Sequence, residues 1–523
     1  MKNKVFASFD DAIADIFDGA IIAHSTFGTA SQATNLWEAL SRKDVKNLTI
    51  IGNMLHPRPN PPAGVHLPVY GPINCLYQAN KVKRIIVGFT SNVSLSLMTT
   101  APEYEEITKD MEVIPVSFGT ICLRLEAAAC GYGAILSPVG IGTFMEEQCQ
   151  KISLDGKDYL IEKPIYPDFG FVKAWKADKL GNLVYYREQR VHNPLVARAS
   201  KVTIAEVQEI VEPGEIDPDQ VHTPHIYVDR IVKIPHGGMG SREWQEVSKV
   251  LAFGPNRTQR PAIEAQADNY ITSGQEGGRI TADRVHLLKK YNTSRLDRQT
   301  MGMRIAKEFK DGDYVNLGKG IPNTAADYID PSIDIYYHAE PGLLGYGTGL
   351  SVEEWEQIDP DLYDAAIRHV RGKPGMCVFD MNEAFNMLRG HHLDAGVVGG
   401  FQVSEKGGFA NWTFKTPVPH SGISIGGGFD LVTGPKRCIV AIAHLDHQGH
   451  SKIVRELTYP LTGGRNMVDL VITDLAVIEV IGPKGKKEGM VLKEYAPGWT
   501  VEEIQALTEA HLKIAPDVKV IEL

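Results

Sequence analysis

Short runs of β-branched residues alternate with helical patterns along most of this chain, and no other feature restricts its fold as strongly. Strands are predicted at Leu48–Ile51, Arg84–Val87 and Val113–Val116, and helices at Phe9–Phe17, Ala30–Leu40 and Ile121–Ala129. Strands that are joined through helices run parallel, and the helices then cover both faces of the sheet. The sequence therefore predicts an α/β fold in three layers, α/β/α, with mainly parallel sheets.

The two ends of the chain resemble each other. Four residues recur at a constant spacing of 226 residues: Asp168, Gly170, Val172 and Gly181 match Asp394, Gly396, Val398 and Gly407. If this is a repeat, two homologous domains follow one another in tandem, and a site between them can use different parts of equivalent elements. Chance similarity between two α/β halves is the alternative.

We place an N-terminal domain at residues 1–233, a connection at 234–299 and a C-terminal domain at 300–523. Strand patterns stop in the connection, which contains the stretches Gly254–Pro261 and Ser273–Gly278 and one predicted helix near Arg242–Leu251. The connection is long for a linker, so it could wrap a domain or close over a site. Near the C-terminus, Thr500 followed by Glu503 is the pattern of a capping box that begins a helix.

The charge balance restricts the partners. Lys and Arg number 54 and Asp and Glu number 64, which gives a formal net charge of −10. Because the phosphate backbone repels an acidic chain, no nucleic-acid partner is expected. The uncharged stretch Ala127–Met145 contains Pro138 and four glycines, which favour a buried strand with turns over a membrane helix, so no membrane partner is expected either.

The location is predicted from cysteines and from the first residues. The six cysteines include no C-x-x-C pair, so reduced thiols are expected. Asp10, Asp11 and Asp15 precede any apolar run, unlike in a secretory signal or an Arg-rich transit peptide. Together these features predict a cytoplasmic protein.

One carboxylate is placed at the end of a predicted strand. The run Ile333–Tyr337 is β-like, and Glu340 follows it before a Pro–Gly turn. Ligands of open α/β sheets lie beyond the carboxyl ends of the strands, so Glu340 is a candidate for ligand contact. A solvated glutamate in a turn is the alternative.

Two glycine-rich stretches are candidates for anion contact through backbone N–H groups. Asn316–Pro322, with Gly318 and Gly320, lies between a predicted strand and a predicted helix, although it is neither a dinucleotide fingerprint nor a Walker A sequence. Gly426–Gly428 exposes amides that could form an oxyanion hole. A tight turn for the first stretch and a close chain crossing for the second are the alternatives.

Four polar residues near position 447 invite a metal interpretation. They are His444, Asp446, His447 and His450. Since no H-E-x-x-H motif accompanies them, we predict a polar loop and no metal site.

Several longer stretches, in their order along the chain, resemble the family I CoA-transferases. They are Phe171–Asn182, Pro224–Lys233, Leu317–Pro322, Ala339–Gly347, Met387–Trp412, Gly426–Val432 and Tyr459–Gly463. The resemblance covers nearly the whole chain apart from the middle segment and the region from Met54 to Thr100.

The resemblance implies that Glu340 is a covalent nucleophile. Its carboxylate would attack the thioester carbonyl of an acyl-CoA, and the CoA thiolate would return to the glutamyl carbonyl, which gives ping-pong transfer to a second carboxylic acid. It also implies that Asn53 and the amides of Gly427 and Gly428 stabilise the oxyanion. Short-chain acyl or 3-oxoacid substrates are expected.

The resemblance further implies that CoA is a co-substrate, that no cofactor is tightly bound, and that Gly318, Gly320 and Gly342 contact CoA. Phe118 aligns where ketoacid enzymes of the family carry a glutamine, which favours a more apolar acyl group. Pro341 stands where the family more often has asparagine. The expected partners are acyl-CoA and carboxylic acid substrates, and a homo-oligomer, a dimer or tetramer, is implied.

Two other functions stay open. Hydrolysis of acyl-CoA results if water replaces the acceptor acid. The other is a non-catalytic ligand-binding protein, because one fold supports several functions. A transferase needs the carboxylate of Glu340, and a binding module does not.

Overall fold

The computed structural model describes residues 3–25, 27, 30–53, 76, 80–90, 109–253, 282–414 and 423–523. Two stretches of the predicted connection, Gly254–Pro261 and Ser273–Gly278, lie outside the described residues.

The described residues of the N-terminal half form one large and one small sheet. Its strands are β1 (Ile21–His24), β2 (Leu48–Ile51), β3 (Val82–Val87), β4 (Glu112–Pro115), β5 (Ile135–Ser137), β6 (Lys151–Leu154), β7 (Lys157–Glu162), β8 (Phe169–Asp178), β9 (Leu183–Val184), β10 (Val202–Val211) and β11 (Arg230–Lys233). Its helices are α1 (Phe9–Ala12), α2 (Thr34–Arg42), α3 (Phe118–Cys130), α4 (Phe144–Gln148) and α5 (Asn193–Ala199), with 3₁₀ helices at Arg187–Arg190, Pro218–Gln220 and His225–Tyr227. The large sheet has the order β11-β10-β8-β1-β2-β3-β4, and its neighbouring strands are parallel. Strand β9 pairs antiparallel with β8, and β5, β7 and β6 form the small antiparallel sheet.

In its described residues, the connection contains two helices, α6 (Arg242–Phe253) and α7 (Ala282–Ser294). The first lies where the sequence predicts a helix, and the second is not predicted. Tyr291 of α7 is buried and donates its hydroxyl to the Asp474 carboxylate at 2.6 Å, so α7 packs on the C-terminal half. The domain boundaries at 233 and 299 stay a prediction.

The C-terminal half is built around a ten-stranded sheet. Its strands are β12 (Tyr314–Leu317), β13 (Tyr336–Ala339), β14 (Leu343–Tyr346), β15 (Cys377–Val378), β16 (Ala395–Val398), β17 (Gln402–Ser404), β18 (Phe409–Ala410), β19 (Arg437–Ile442), β20 (Ile453–Val454), β21 (Leu470–Thr473), β22 (Ala476–Ile481), β23 (Gly489–Tyr495) and β24 (Leu512–Val520). Its helices are α8 (Arg298–Ala306), α9 (Met381–Arg389), α10 (Gly428–Thr433) and α11 (Val501–Leu507), with 3₁₀ helices at Pro322–Tyr328 and Val352–Gln357. The large sheet has the order β15-β14-β13-β12-β16-β19-β21-β22-β23-β24, and β18-β17-β20 form a small sheet.

The repeat that the sequence suggests is present in the strand order. In the first half, β2-β1-β8-β10-β11 are adjacent and parallel. In the second half, β13-β12-β16-β19-β21 are adjacent and parallel in the same way. The prediction of two tandem, mainly parallel α/β domains is therefore confirmed.

Two of the repeated residues make the same contacts in both halves. The Asp168 carboxylate accepts the backbone N–H of Ile21 at 3.0 Å and lies 2.8 Å from the Lys201 ammonium. The Asp394 carboxylate accepts the backbone N–H of the first residue of β12 at 2.9 Å and lies 2.8 Å from the Lys436 ammonium. Each aspartate thus ties together three neighbouring strands at their amino ends, which gives a physical reason for the repeated residue.

Helix α1 is shorter than the sequence predicts. It ends at Ala12, because Ile13 leaves the helical region with φ −107° and ψ 7°. The turns that follow bury Ile13 and Ile16, which are 1% and 3% exposed. The capping box at Thr500 is confirmed: the Thr500 hydroxyl accepts the N–H of Glu503, and the Glu503 carboxylate accepts that of Thr500.

The halves are joined by backbone hydrogen bonds between the loop after β3 and the loop before α10. The Thr90 N–H donates to the Ile423 carbonyl and the Ile425 N–H to the Gly88 carbonyl, both at 2.9 Å. No helix within the described ranges is long and apolar enough to cross a membrane.

Candidate active site

Glu340 directly follows β13, at the carboxyl end of the C-terminal sheet. The turn closes with a hydrogen bond from the Gly342 N–H to the Ala339 carbonyl at 3.0 Å. Gly342 has φ +120°, and a Cβ there would stand 2.0 Å from the Phe379 carbonyl oxygen. This close approach of two chain segments explains the glycine, and the predicted contact of Gly342 with CoA stays a prediction.

Asn53 occupies the position in the N-terminal half that Glu340 occupies in the C-terminal half. The first residue of β1 pairs with Thr49, and the first residue of β12 pairs with Tyr336. Asn53 lies four residues after Thr49, and Glu340 lies four residues after Tyr336. The repeat therefore places an amide and a carboxylate at equivalent ends of equivalent strands.

The Glu340 side chain is buried. The residue is 7% exposed, and its Oε2 has no hydrogen-bond partner in the described part of the chain. Burial raises the pKa of Glu340 to about 7, and a hydrogen bond from Asn316 opposes that shift. A carboxylate of this kind is poorly solvated, so it is a better nucleophile when ionised than one in water.

The glycine loop before α10 lies against Glu340. A Cβ on Gly427 would stand 3.0 Å from the Glu340 Oε1. Gly427 is the N-cap of α10, and its N–H makes no hydrogen bond to the described residues. The Gly428 N–H donates to the Ile425 carbonyl at 3.0 Å, so in this conformation only the Gly427 amide is available to a ligand. The role predicted for Gly428 stays untested.

Asn53 reaches across to the C-terminal half. The side chain is fully buried, and its Nδ2 donates to the Met381 sulfur at 3.3 Å. Met381 is the first residue of α9, and Phe385 of the same helix lies beside Gly427. A thioether is a weak acceptor, so an oxyanion would compete well for this donor.

Phe118 packs beneath the glycine loop. It is 2% exposed, its ring centre lies 5.3 Å from that of Phe89 and 6.0 Å from that of Phe27, and its N–H donates to the Gly426 carbonyl at 2.9 Å. Phe118 therefore supplies an apolar wall close to the site, at the junction of the halves.

Gly318 and Gly320 lie at the carboxyl end of β12, on the same edge as Glu340. The Gly318 N–H donates to the Val397 carbonyl at 2.8 Å, and Gly320 has φ +100°. A 3₁₀ helix, Pro322–Tyr328, follows in place of the α-helix that an anion site would use. These contacts suit a tight turn, and the predicted CoA contact of both glycines stays a prediction.

The polar residues near position 447 have protein partners. His444 is buried, and its two ring nitrogens lie 3.0 Å from the hydroxyls of Thr473 and Thr508. Asp446 and His450 contact each other at 3.3 Å in a turn. Among the described residues, no group of three metal-ligating side chains is present.

Three residues of the site carry no role in the sequence analysis. Asn316 and His338 are paired on adjacent strands, and their side-chain nitrogens lie 3.1 Å apart beneath Glu340. Asp430 of α10 is buried and bonds to Arg389 at 2.9 Å. Polar residues within otherwise apolar strand and helix patterns are the sequence signal that could have found these three. Which of them meet is shown only by the register of the paired strands.

Comparison with known proteins identifies the family. The family described as Coenzyme A transferase matches residues 6–234 and 298–507. A human succinyl-CoA:3-ketoacid coenzyme A transferase 2, mitochondrial, is 30% identical over 99% of this chain and 92% of its own length. The two subunits of a 3-oxoadipate CoA-transferase from Acinetobacter baylyi are 39% and 37% identical, over 42% and 45% of this chain and 95% and 96% of their own lengths. The chain thus belongs to the coenzyme A transferase family, and it is an enzyme that transfers CoA, with CoA as co-substrate.

A solved structure shows the same fold. An acyl-CoA transferase from Escherichia coli O157:H7, in a thioester complex with CoA, superposes with a TM-score of 0.67 at 20% identity, over all of this chain and 95% of that one.

The predicted cytoplasmic location is wrong. The human relative and two from mouse, which match nearly the whole chain, are named mitochondrial. The prediction depended on the first residues and on cysteines expected to stay reduced, and reduced thiols report the redox state of a compartment, not its identity.

Proposed function

We propose that this enzyme transfers CoA between carboxylic acids through covalent intermediates on Glu340. The carboxylate attacks the thioester carbonyl, the C–S bond breaks, and CoA leaves as a thiolate from an acyl-glutamyl anhydride. The thiolate then attacks the glutamyl carbonyl, which releases the first acid and leaves a glutamyl–CoA thioester. An acceptor carboxylate runs both steps in reverse.

The observation that carries this proposal is the buried Glu340 carboxyl group against the Gly427 amide, at the junction of the halves. Each step passes through an oxyanion, and one good donor is worth roughly 3 kcal/mol. We assign the Gly427 N–H and the Asn53 side-chain amide as donors, because the first has no acceptor among the described residues and the second donates to a weak one.

The names of the relatives support 3-oxoacid or short-chain acyl substrates. Succinyl-CoA:3-ketoacid and 3-oxoadipate enzymes are both among them. Phe118 adds apolar surface beside the site, which favours an apolar acyl group. The predicted homo-oligomer, a dimer or tetramer, belongs with this proposal.

Hydrolysis of acyl-CoA is the competing activity. It requires water at the activated glutamyl carbonyl. The 7% exposure of Glu340 supports transfer over hydrolysis, because a closed site excludes water from the intermediates.

Mass spectrometry of the protein mixed with acetoacetyl-CoA, without an acceptor acid, tests the mechanism. We expect a CoA adduct on the peptide that contains Glu340, and none in Glu340→Gln, which has the same shape but no nucleophilic oxygen. Normal turnover by Glu340→Gln would exclude the proposal.

Glu188→Gln is the matched control. Glu188 is fully buried, its Oε1 has no partner in the described part of the chain, and burial raises its pKa, as for Glu340. This variant should still form the adduct.

A further inference from the structure

Three polar side chains lie on one face of the C-terminal sheet, around the reacting carboxyl group. Asn316 of β12 is the register partner of His338 on the parallel strand β13. Side chains two residues apart along a strand point to the same face, so Glu340, which follows β13, continues the face that carries His338. Asn316 and His338 are both 0% exposed. Polar groups buried this completely depend on protein partners, because water cannot reach them.

The side-chain amide of Asn316 connects the other two groups. Its Nδ2 lies 3.1 Å from the His338 Nδ1. Its hydrogen bond with Glu340 lowers the pKa of that carboxyl group, which means that the bond favours the ionised form. An ionised carboxylate accepts and cannot donate, so the Asn316 NH₂ group is the donor. One N–H of this group therefore serves each neighbour.

The Asn316 amide can take two orientations, which exchange its nitrogen and its oxygen. In the orientation described here, the N–H groups face His338 and Glu340, and Oδ1 has no partner in the described part of the chain. In the other orientation, the Asn316 carbonyl oxygen would face the Glu340 carboxylate, and two acceptors would meet. The orientation of this amide therefore decides whether Asn316 favours or opposes the ionised form of Glu340.

The ring of His338 is suited to hold the first orientation. Burial lowers the pKa of His338 to about 4, so at neutral pH the imidazole has one N–H and one acceptor nitrogen. Because Asn316 presents an N–H to Nδ1, Nδ1 is the acceptor and the ring proton is on Nε2. The ring is held by packing as well, since its centre lies 6.5 Å from that of Phe379 with the two planes 28° apart.

The other ionisable groups around Glu340 act in the opposite direction or stay neutral. The carboxyl groups of Asp364 and Asp430 raise the pKa of Glu340 through their charge. Tyr346 of β14 also interacts with Glu340, and burial raises the pKa of its hydroxyl well above the usual range, so it stays neutral. The hydrogen bond from Asn316 opposes the effects of burial and of the two aspartates.

We propose that His338 is a positioning residue: its Nδ1 fixes the Asn316 amide with the N–H groups towards Glu340, so that Asn316 holds the carboxylate in its nucleophilic form. The proposal rests on the function proposed above, because it assigns a role within the Glu340 mechanism. His338 acts through Asn316 and not on the reacting atoms.

The test measures the pH at which Glu340 is half ionised, in wild type and in variants of His338. Difference infrared spectroscopy detects the protonated Glu340 carboxyl group as a band that Glu340→Gln lacks, and it needs no turnover. His338→Phe keeps a ring against Phe379 but has no acceptor. We expect its midpoint to rise from about 7 by about one pH unit, so that kcat/KM for acyl-CoA falls about tenfold below the midpoint and recovers at alkaline pH.

Two more substitutions at the same position complete the comparison. His338→Gln offers a side-chain oxygen to the Asn316 N–H, so its midpoint should stay near that of wild type. His338→Leu has no acceptor and a smaller side chain, so it should raise the midpoint as His338→Phe does, and it provides the same comparison if His338→Phe does not fold.

A double variant separates action through Asn316 from direct action on Glu340. Asn316→Leu removes the donor itself and should raise the midpoint at least as far as His338→Phe. Adding His338→Phe to Asn316→Leu should produce no further rise, because no amide is left to be held.

His444→Phe is the matched control. His444 is also 0% exposed, and its two ring nitrogens contact the hydroxyls of Thr473 and Thr508, after β19 and not beside Glu340. This variant should lower the free energy of unfolding and leave the midpoint of Glu340 unchanged.

An unchanged midpoint in both His338→Phe and His338→Leu would overturn the proposal. So would an equal rise in His338→Gln, which would assign the effect to packing, or a further rise in the double variant, which would show that His338 acts directly on Glu340. Failure of the function proposed above would look different: the infrared midpoints would still shift as expected, but wild type would form no CoA adduct on Glu340.

Discussion

At the scale of single residues, the role proposed for Glu340 predicts how the reaction depends on pH. Burial raises this pKa to about 7, and the carboxylate is the nucleophilic form. We therefore expect kcat/KM for acyl-CoA to rise with pH, with an apparent pKa near 7, and then to level off. Initial rates at subsaturating acyl-CoA measure this, and a profile that is flat across neutral pH would contradict it.

The raised pKa of Glu340 also makes the free energy of unfolding depend on pH. This free energy falls with rising pH, whereas the activity rises. Because the pKa in the folded state lies above the ordinary value of 4.5, the stabilising contribution is complete below pH 4.5 and is lost as the pH rises through about 7. Glu340→Gln, which stays neutral, should gain stability relative to wild type at alkaline pH, by up to about 3 kcal/mol. Urea unfolding at acidic and alkaline pH would show this difference.

Sequence reasoning reaches the position of Glu340 but not its environment. A carboxylate after a β-like run is visible in the pattern that ends at Tyr337. Its burial depends on Gly427, which comes from a distant part of the chain, and on Asn316 in the adjacent strand. Local pattern contains none of these contacts.

At the scale of secondary-structure elements, the repeated aspartates offer a paired test. Asp168→Asn and Asp394→Asn each weaken a bond to a strand N–H and an ion pair to an exposed lysine. We expect losses of about 1 kcal/mol in each case, since the ion pairs are screened by solvent. Chemical denaturation measures both.

The two losses should be similar, because the contacts are equivalent. A large cost in one half and none in the other would show that the repeated residues no longer share a role. Gly133→Ala is a useful control, because a Cβ there meets nothing within 4 Å.

Elements with strong local signals are the ones that the sequence predicts well. Strand β2 coincides with the predicted Leu48–Ile51, and the capping box at Thr500 forms as predicted. Helix α7 has no such signal: its apolar stripe is weak, and it is held by contacts with the C-terminal half, such as those of Tyr291 with Asp474 and of Lys290 with Glu503. Tertiary contact, which local pattern does not report, accounts for that helix.

At the scale of the whole molecule, one buried ion pair ties the halves together. The Arg389 guanidinium contacts the Asp430 carboxylate and the Gly119 carbonyl, both at 2.9 Å, and Asp430 also lies 3.3 Å from the Ser117 hydroxyl. Arg389 and Asp430 belong to the C-terminal half, while Ser117 and Gly119 belong to the N-terminal half. The pair therefore holds α10, which follows Gly427, against α3.

Arg389→Met should destabilise the protein by about 3 kcal/mol or more, because it leaves the Asp430 charge buried without its partner. Adding Asp430→Asn to the same chain should restore part of the loss. Urea unfolding of wild type, both single variants and the double variant gives the coupling energy. Additive effects would show that the pair does not act as a unit.

The tandem arrangement follows from the sequence, but the junction of the halves does not. The hydrogen bonds from Thr90 and Phe118 to the loop before α10 link segments with no shared pattern.

Asn53 and Glu340 stand at equivalent positions of the repeat, so this position holds an amide in one half and a carboxylate in the other. The two halves must meet for these groups to come together. In the 3-oxoadipate CoA-transferase, the two matching polypeptides are separate, and each aligns with less than half of this chain. Covalent linkage fixes the two groups at a one-to-one ratio and at an effective concentration that dilution cannot lower. At any protein concentration, the Asn53 amide therefore stays with the Glu340 carboxylate of the same chain.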